Sequence, residues 1–141
     1  MNKMSLKFSA ISQNEAFART AVSAFLLPVS PTVSMLSDVK TAVSEAVTNS
    51  VVHAYPERLG DIELSCWYDE AEVHIIVKDY GVGIDNVKLA LEPYFTTKKE
   101  DERSGIGFTV MSTFMDSVKV DSNLNQGVRV HMVKRLVLNK E

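Results

Sequence analysis

Val73-His74-Ile75-Ile76-Val77-Lys78-Asp79-Tyr80-Gly81-Val82-Gly83-Ile84 is the stretch on which the fold turns. Val73, Ile75 and Val77 recur with period two, so they share one face of a strand, and Asp79 continues in phase with them. The pattern thus carries a carboxylate toward the interior, where it costs several kcal/mol unless donors satisfy it. Gly81 and Gly83 follow at once, and glycine permits positive φ and close backbone approach. Two readings of this turn stand side by side. One is a strand-ending Asp-x-Gly turn. The other is a carboxylate that accepts from the exocyclic amine of a bound base, with the glycines leaving room for the ring.

Working outward, Ile62, Leu64, Cys66 and Tyr68 alternate in the same way, and Asp69-Glu70 turns the chain between the two strands, which predicts an antiparallel pair. Leu6, Phe8 and Ala10 alternate with Lys7 and Ser9 as a short strand. Asn14 to Leu27 places Phe17, Ala21, Ala24 and Phe25 at helical spacing, closed by Pro28 and Pro31. Thr32 or Ser34 caps a second helix that runs to about Ala54, with Leu36, Val39, Val43, Val47, Ser50 and Ala54 as its buried stripe. Beyond Asp79 a loop-rich stretch reaches Ser104, with only a short helical piece around Asn86 to Leu91. Helix resumes from Gly105 to about Met115, and strands over 117–121 and 128–133 flank the Asn123-Leu124-Asn125-Gln126-Gly127 turn. This β-α-α-β-β-loop-α-β-β order predicts an α/β two-layer sandwich: a mixed, mostly antiparallel sheet with helices on one face.

Two further constellations bear on chemistry. At about 100° per residue, Glu45, Asn49 and His53 fall within about 80° on one flank of the long helix. A carboxylate one turn from a carboxamide suits Mg²⁺, which takes hard oxygen ligands, and the same spacing suits a solvated face. His53 lacks a second His or Cys at ligand spacing, which favours packing or a place at the helix end. Arg103-Ser104-Gly105-Ile106-Gly107-Phe108 opens a helix with two glycines and a capping Ser. Exposed N–H groups at such an end suit a polyphosphate, and an ordinary glycine-containing helix start has the same appearance. Before it, Phe95-Thr96-Thr97-Lys98-Lys99-Glu100-Asp101-Glu102 has no apolar periodicity, as in a lid or an irregular segment. No Walker-type Gly-x-x-x-x-Gly-Lys-Ser/Thr loop is present.

Composition narrows the classes. With 141 residues, 45% hydrophobic and 23% charged, the expectation is one globular domain over 1–141. A net charge of -3 argues against direct nucleic-acid binding. Cys66, the one cysteine, has no partner for an internal disulfide or a thiolate metal site, and reads as inward-facing packing. No apolar run approaches the roughly 20 residues that cross a bilayer. Met1-Asn2-Lys3-Met4-Ser5 lacks the apolar core of a signal peptide, so no membrane association and a cytoplasmic location are expected.

In order and spacing, three segments resemble the GHKL ATP-binding superfamily. Glu45-Ala46-Val47-Thr48-Asn49-Ser50-Val51-Val52-His53-Ala54-Tyr55 resembles its N box, Asp79-Tyr80-Gly81-Val82-Gly83-Ile84 its first glycine box, and Ser104-Gly105-Ile106-Gly107-Phe108 its second. Within the superfamily the chain most resembles the sporulation anti-sigma factors of endospore-forming bacteria. The stretches that carry this are Phe8-Ser9-Ala10-Ile11-Ser12-Gln13-Asn14-Glu15, Ser44 to Asn49, Pro93-Tyr94-Phe95-Thr96-Thr97-Lys98 and Glu102-Arg103-Ser104-Gly105. The resemblance implies a serine-protein kinase that uses ATP, yields ADP and requires Mg²⁺. It implies three protein contacts: a sigma factor held off RNA polymerase, an anti-anti-sigma protein phosphorylated on serine, and a second copy in a homodimer. By the same resemblance Asn49 would bind Mg²⁺ and Glu45 would orient or deprotonate the attacking hydroxyl. Asp79 would hold the adenine amine, with Gly81 and Gly83 shaping the base pocket. Thr96, Thr97 and Lys98 would be lid contacts, Ser104, Gly105 and Gly107 a phosphate cradle, and Arg103 a group near the γ-phosphate and the protein partners. After Gly127 the family commonly has Thr near the adenine, whereas this chain has Val128. A non-catalytic ATP-dependent sigma-binding module, a stand-alone ATPase and a stress-response kinase of the same superfamily are the alternatives.

Overall fold

The computed structural model describes residues 1–56, 58–84 and 104–137, with the backbone alone for 104–106. The elements are β1 (Asn2–Ser9), α1 (Gln13–Leu26), a 3-10 turn (Leu27–Val29), α2 (Val33–His53), β2 (Asp61–Tyr68), β3 (Glu72–Asp79), α3 (Ser104–Phe114), β4 (Ser117–Asn123) and β5 (Gly127–Arg135). The five strands form one sheet in the order β1-β2-β3-β5-β4. Every pairing among the described strands is antiparallel, which sharpens the expectation of a mostly antiparallel sheet. The helical piece expected around Asn86 to Leu91 lies outside the described residues, as do Thr96, Thr97, Lys98 and Arg103.

Period-two patterning sets the core. Ile62, Leu64 and Cys66 of β2 and Val73, Ile75 and Val77 of β3 are fully buried, and Met132 of β5 joins them. Burial pushes the Cys66 thiol up to about 12, so it packs as a small apolar group. Asp69 turns the β2–β3 hairpin by accepting from the N–H groups of Ala71 and Glu72 at 2.7 and 2.9 Å.

Of the two caps expected for α2, Thr32 is the one used: its hydroxyl accepts from Met35 N–H at 3.1 Å. The buried face of α2 is Met35, Val39, Ala42, Val43, Ala46, Val47 and Ser50, and the helix packs against α1, α3 and β3. Leu36, expected in the buried stripe, is only partly buried. For α1 the burial pattern corrects the sequence reading. Ala18, Val22 and Leu26 are buried, whereas Phe17 is 50% exposed. Helix α1 is apolar on more than one side, and the face that wins is the one that α2 and the sheet cover. Phe17 still meets Phe8 edge-on at 6.0 Å, and Phe25 contacts Tyr68 at 5.3 Å. Lys134 ties β5 to the helices by donating to Asp38 Oδ2 at 3.2 Å and to the Phe114 carbonyl at 2.5 Å. On the opposite face of the sheet, Trp67 stacks on His74, whose Nδ1 lies 3.0 Å from His131 Nε2.

Candidate nucleotide site

Three chain segments converge at the end of β3. The carboxylate of Asp79 is 2% exposed, and donors surround it. Ser50 on α2 donates its hydroxyl to Oδ2 at 2.7 Å, while the N–H groups of Gly81 and Val128 donate to Oδ1, each at 3.1 Å. Burial dominates and raises the Asp79 pKa above the ordinary carboxylate range, and the three hydrogen bonds oppose that rise. The strand-phase expectation for Asp79 thus matches its burial, and its donors come from three separate elements.

The raised pKa has a testable sign. Between the unfolded and folded pKa values the folded chain keeps a proton that the unfolded chain has released. The contribution to stability is therefore full below the unfolded value and is lost as pH rises through the folded one. Urea unfolding at several pH values from about 4 to about 7 should show wild type losing stability relative to Asp79→Asn as pH rises. A difference that stays flat, or grows with pH, contradicts it.

The glycines let the segments approach this closely. A Cβ on Gly81 would strike the backbone carbonyl of Ala54, which already accepts from Val82 N–H at 2.9 Å. Gly83 has φ +78°, and a side chain there would run into the Asn123 carbonyl. Gly127 has φ +86° and abuts the Asp79 carbonyl. The glycine loop is then bound to the β4–β5 hairpin: Asn125 N–H donates to Val82 O at 2.6 Å, and Ile84 N–H donates to Ser122 Oγ at 2.8 Å. Tyr55 closes the rim, accepting from Tyr80 N–H at 2.8 Å and donating to Asp61 O at 2.7 Å. Burial first, then the nearby Asp79 charge, raises the Tyr55 pKa, which keeps the phenol protonated as a donor.

The helix flank lies beside this turn. Both Oδ1 and Nδ2 of Asn49 are buried, and neither makes a hydrogen bond among the described residues. An unsatisfied buried polar atom costs about 1–3 kcal/mol, which makes this carboxamide a candidate for holding a ligand or ion. Asn49 faces the start of α3: a Cβ on Gly107 would lie 2.8 Å from Asn49 Nδ2 and 3.0 Å from Oδ1. A side chain at 107 would press on that carboxamide and displace it. Ser104 and Gly105 open the same helix, whose first-turn N–H groups have no intrahelical partners. The donor set fits Mg²⁺ and phosphate: a hard amide oxygen beside a helix N-terminus. Glu45 is half-buried one turn before Asn49 and borders a cavity of about 250 Å³ lined also by Arg19, Ser37, Lys40, Thr41 and Ser44. Ser44 in turn donates to Glu15, which pairs with Arg19 at 3.7 Å.

Asp79, Gly81 and Gly83 therefore meet at one turn, and Asn49 and Gly107 meet at another, with Ser50 bridging from α2. Four members of this cluster are not among the site residues expected from the sequence: Ser50, Tyr55, Ser122 and Gly127. Ser50 reads as part of an apolar stripe, and Gly127 as an ordinary hairpin residue. The only hint is that Ser50 is the one polar residue in that stripe.

Comparison with known proteins agrees with this architecture. Residues 8–134 match the histidine kinase-like ATPase domain, and the chain belongs to that family. A crystal structure of the RsbU and RsbW domains of a Mycobacterium tuberculosis protein shares the fold at TM-score 0.72, with 16% identity, covering 96% of this chain and 33% of that one. The mycobacterial sensor histidine kinase MprB superimposes at TM-score 0.61 with 15% identity, over 93% of this chain and 98% of its own. Within the family the chain falls among the anti-sigma F factors. It is 50% identical to the anti-sigma F factor of Clostridium kluyveri over 133 residues, 94% of each chain. It is 47% identical to that of Anoxybacillus flavithermus over 140 residues, 99% of this chain and 96% of the relative. Among the described residues no helix is long and apolar enough to cross a membrane.

Proposed function

We propose that this chain is an anti-sigma factor that binds and inhibits a sporulation sigma factor in the cytoplasm and, with ATP and Mg²⁺, phosphorylates a serine of an anti-anti-sigma protein. The observation that carries the reading is the buried Asn49 carboxamide, unpartnered among the described residues and set against the glycine-bearing start of α3. Its Oδ1 would hold Mg²⁺, which when bound neutralises charge between the phosphates. Ser104, Gly105 and Gly107 form the phosphate cradle, and Asp79 accepts from the adenine amine in the pocket that Gly81 and Gly83 shape. Thr96, Thr97 and Lys98 are assigned to the lid over the nucleotide. Glu45 takes the proton of the attacking serine hydroxyl as its oxygen bonds to the γ-phosphorus, and ADP leaves. Such a division suits phosphoryl transfer, in which positioning and charge stabilisation do most of the catalysis.

Arg103 is assigned to the γ-phosphate and the partner edge, beside Glu100, Asp101 and Glu102. Arg103→Ala should therefore weaken sigma-factor binding more than nucleotide binding; equal losses in parallel titrations contradict this. Homodimerisation fits β1, which lies at the edge of the sheet. The anti-sigma activity is tested by titrating the chain with a sporulation sigma factor in ATP and Mg²⁺. A stable complex is expected, and its absence with nucleotide shown to be bound contradicts the reading.

A further inference from the structure

We propose that Ser50 is the residue that aims Asp79 at the base, and so sets the preference for adenine. The inference rests on the adenine-binding role given to Asp79 above. An ionised carboxylate offers about four acceptor directions, two on each oxygen. On Oδ1 both are taken, by the N–H groups of Gly81 and Val128. On Oδ2 the Ser50 hydroxyl takes one at 2.7 Å. A single direction remains, on the oxygen that Ser50 holds. The exocyclic amine of a base must use it, and the hydroxyl fixes where it points.

Ser50 is well placed for this. It is 7% exposed, in the second half of α2, immediately after Asn49. Asn49 and Ser50 therefore address the phosphate end and the base end of one ligand from adjacent positions. The backbone N–H of Val128 reaches Asp79, but its side chain carries no hydroxyl. Among the described residues, Ser50 is thus the side chain with a hydrogen bond to this carboxylate. Ser50 is a positioning residue in this account, since it acts through Asp79.

The test compares ADP with inosine diphosphate, which carries an oxygen in place of the amine, by equilibrium titration in Mg²⁺. Wild type should prefer ADP. Ser50→Ala should bind ADP about fivefold more weakly with inosine diphosphate unchanged, because losing the hydroxyl's hold on Oδ2 misdirects the acceptor and this matters to affinity only where the amine is read. Ser50→Thr, which keeps the donor, should restore the ratio. Should Ser50→Ala fail to fold, Ser50→Cys gives the same comparison with a weak donor. Equal weakening toward both nucleotides would make Ser50 merely structural and overturn the inference, as would an unchanged ADP affinity. A wild type indifferent to the two bases would instead overturn the adenine role of Asp79 itself.

Discussion

Glu45→Ala should lower phosphoserine formation by about 10²- to 10⁴-fold, the range that a positioned general base contributes. Nucleotide binding and sigma-factor binding should persist. Glu45 is half-buried on the α2 flank and is assigned to the acceptor hydroxyl, whereas Asn49, Asp79, the glycines, Ser104 and the lid residues are assigned to the nucleotide. The comparison also separates a kinase from a module that merely grips its partner when ATP is bound. A single-turnover assay with the phosphoacceptor protein, run beside a sigma-binding titration, reads both. Loss of transfer together with loss of nucleotide affinity would contradict the role given to Glu45. Transfer at the wild-type rate would contradict it equally.

The second large effect is on stability. Gly127→Ala should destabilise the fold by about 2–5 kcal/mol, from about 1–2 for a left-handed side chain and about 1–3 for overpacking. Gly127 holds φ +86°, and an added Cβ would collide with the backbone carbonyl of Asp79, which has no rotamer by which to escape. Nucleotide affinity should fall with it, because Val128 N–H, one residue on, holds Asp79 Oδ1. Urea unfolding and an ADP titration measure the two losses. A cost below about 1 kcal/mol would mean that the β4–β5 hairpin yields, and that the site is less tightly bound to it than the geometry implies.

Much of this was legible in the sequence because strand periodicity is strict. A period of two leaves no freedom over which side of the sheet Val73, Ile75, Val77 and Asp79 occupy. Helix α1 was less legible. Ala18, Val22 and Leu26 and the set around Phe17 and Phe25 are both apolar, and only packing chooses between them. For the candidate site, Asn49, Asp79 and the two glycine pairs stand out by residue type and spacing. Ser50, Ser122, Tyr55 and Gly127 do not, because their roles are contacts across 29, 38, 25 and 48 residues of chain. Long-range hydrogen bonds leave no local period to read.

The central claim is that one buried cluster on α2, β3 and α3 transfers phosphate from ATP to a protein serine. Its most direct test is to incubate the chain with ATP, Mg²⁺ and an anti-anti-sigma protein, and to map phosphate on the acceptor by mass spectrometry. Phosphoserine is expected on the acceptor, formed about 10²- to 10⁴-fold more slowly by Glu45→Ala. An acceptor that stays unmodified while the chain demonstrably holds nucleotide would contradict it.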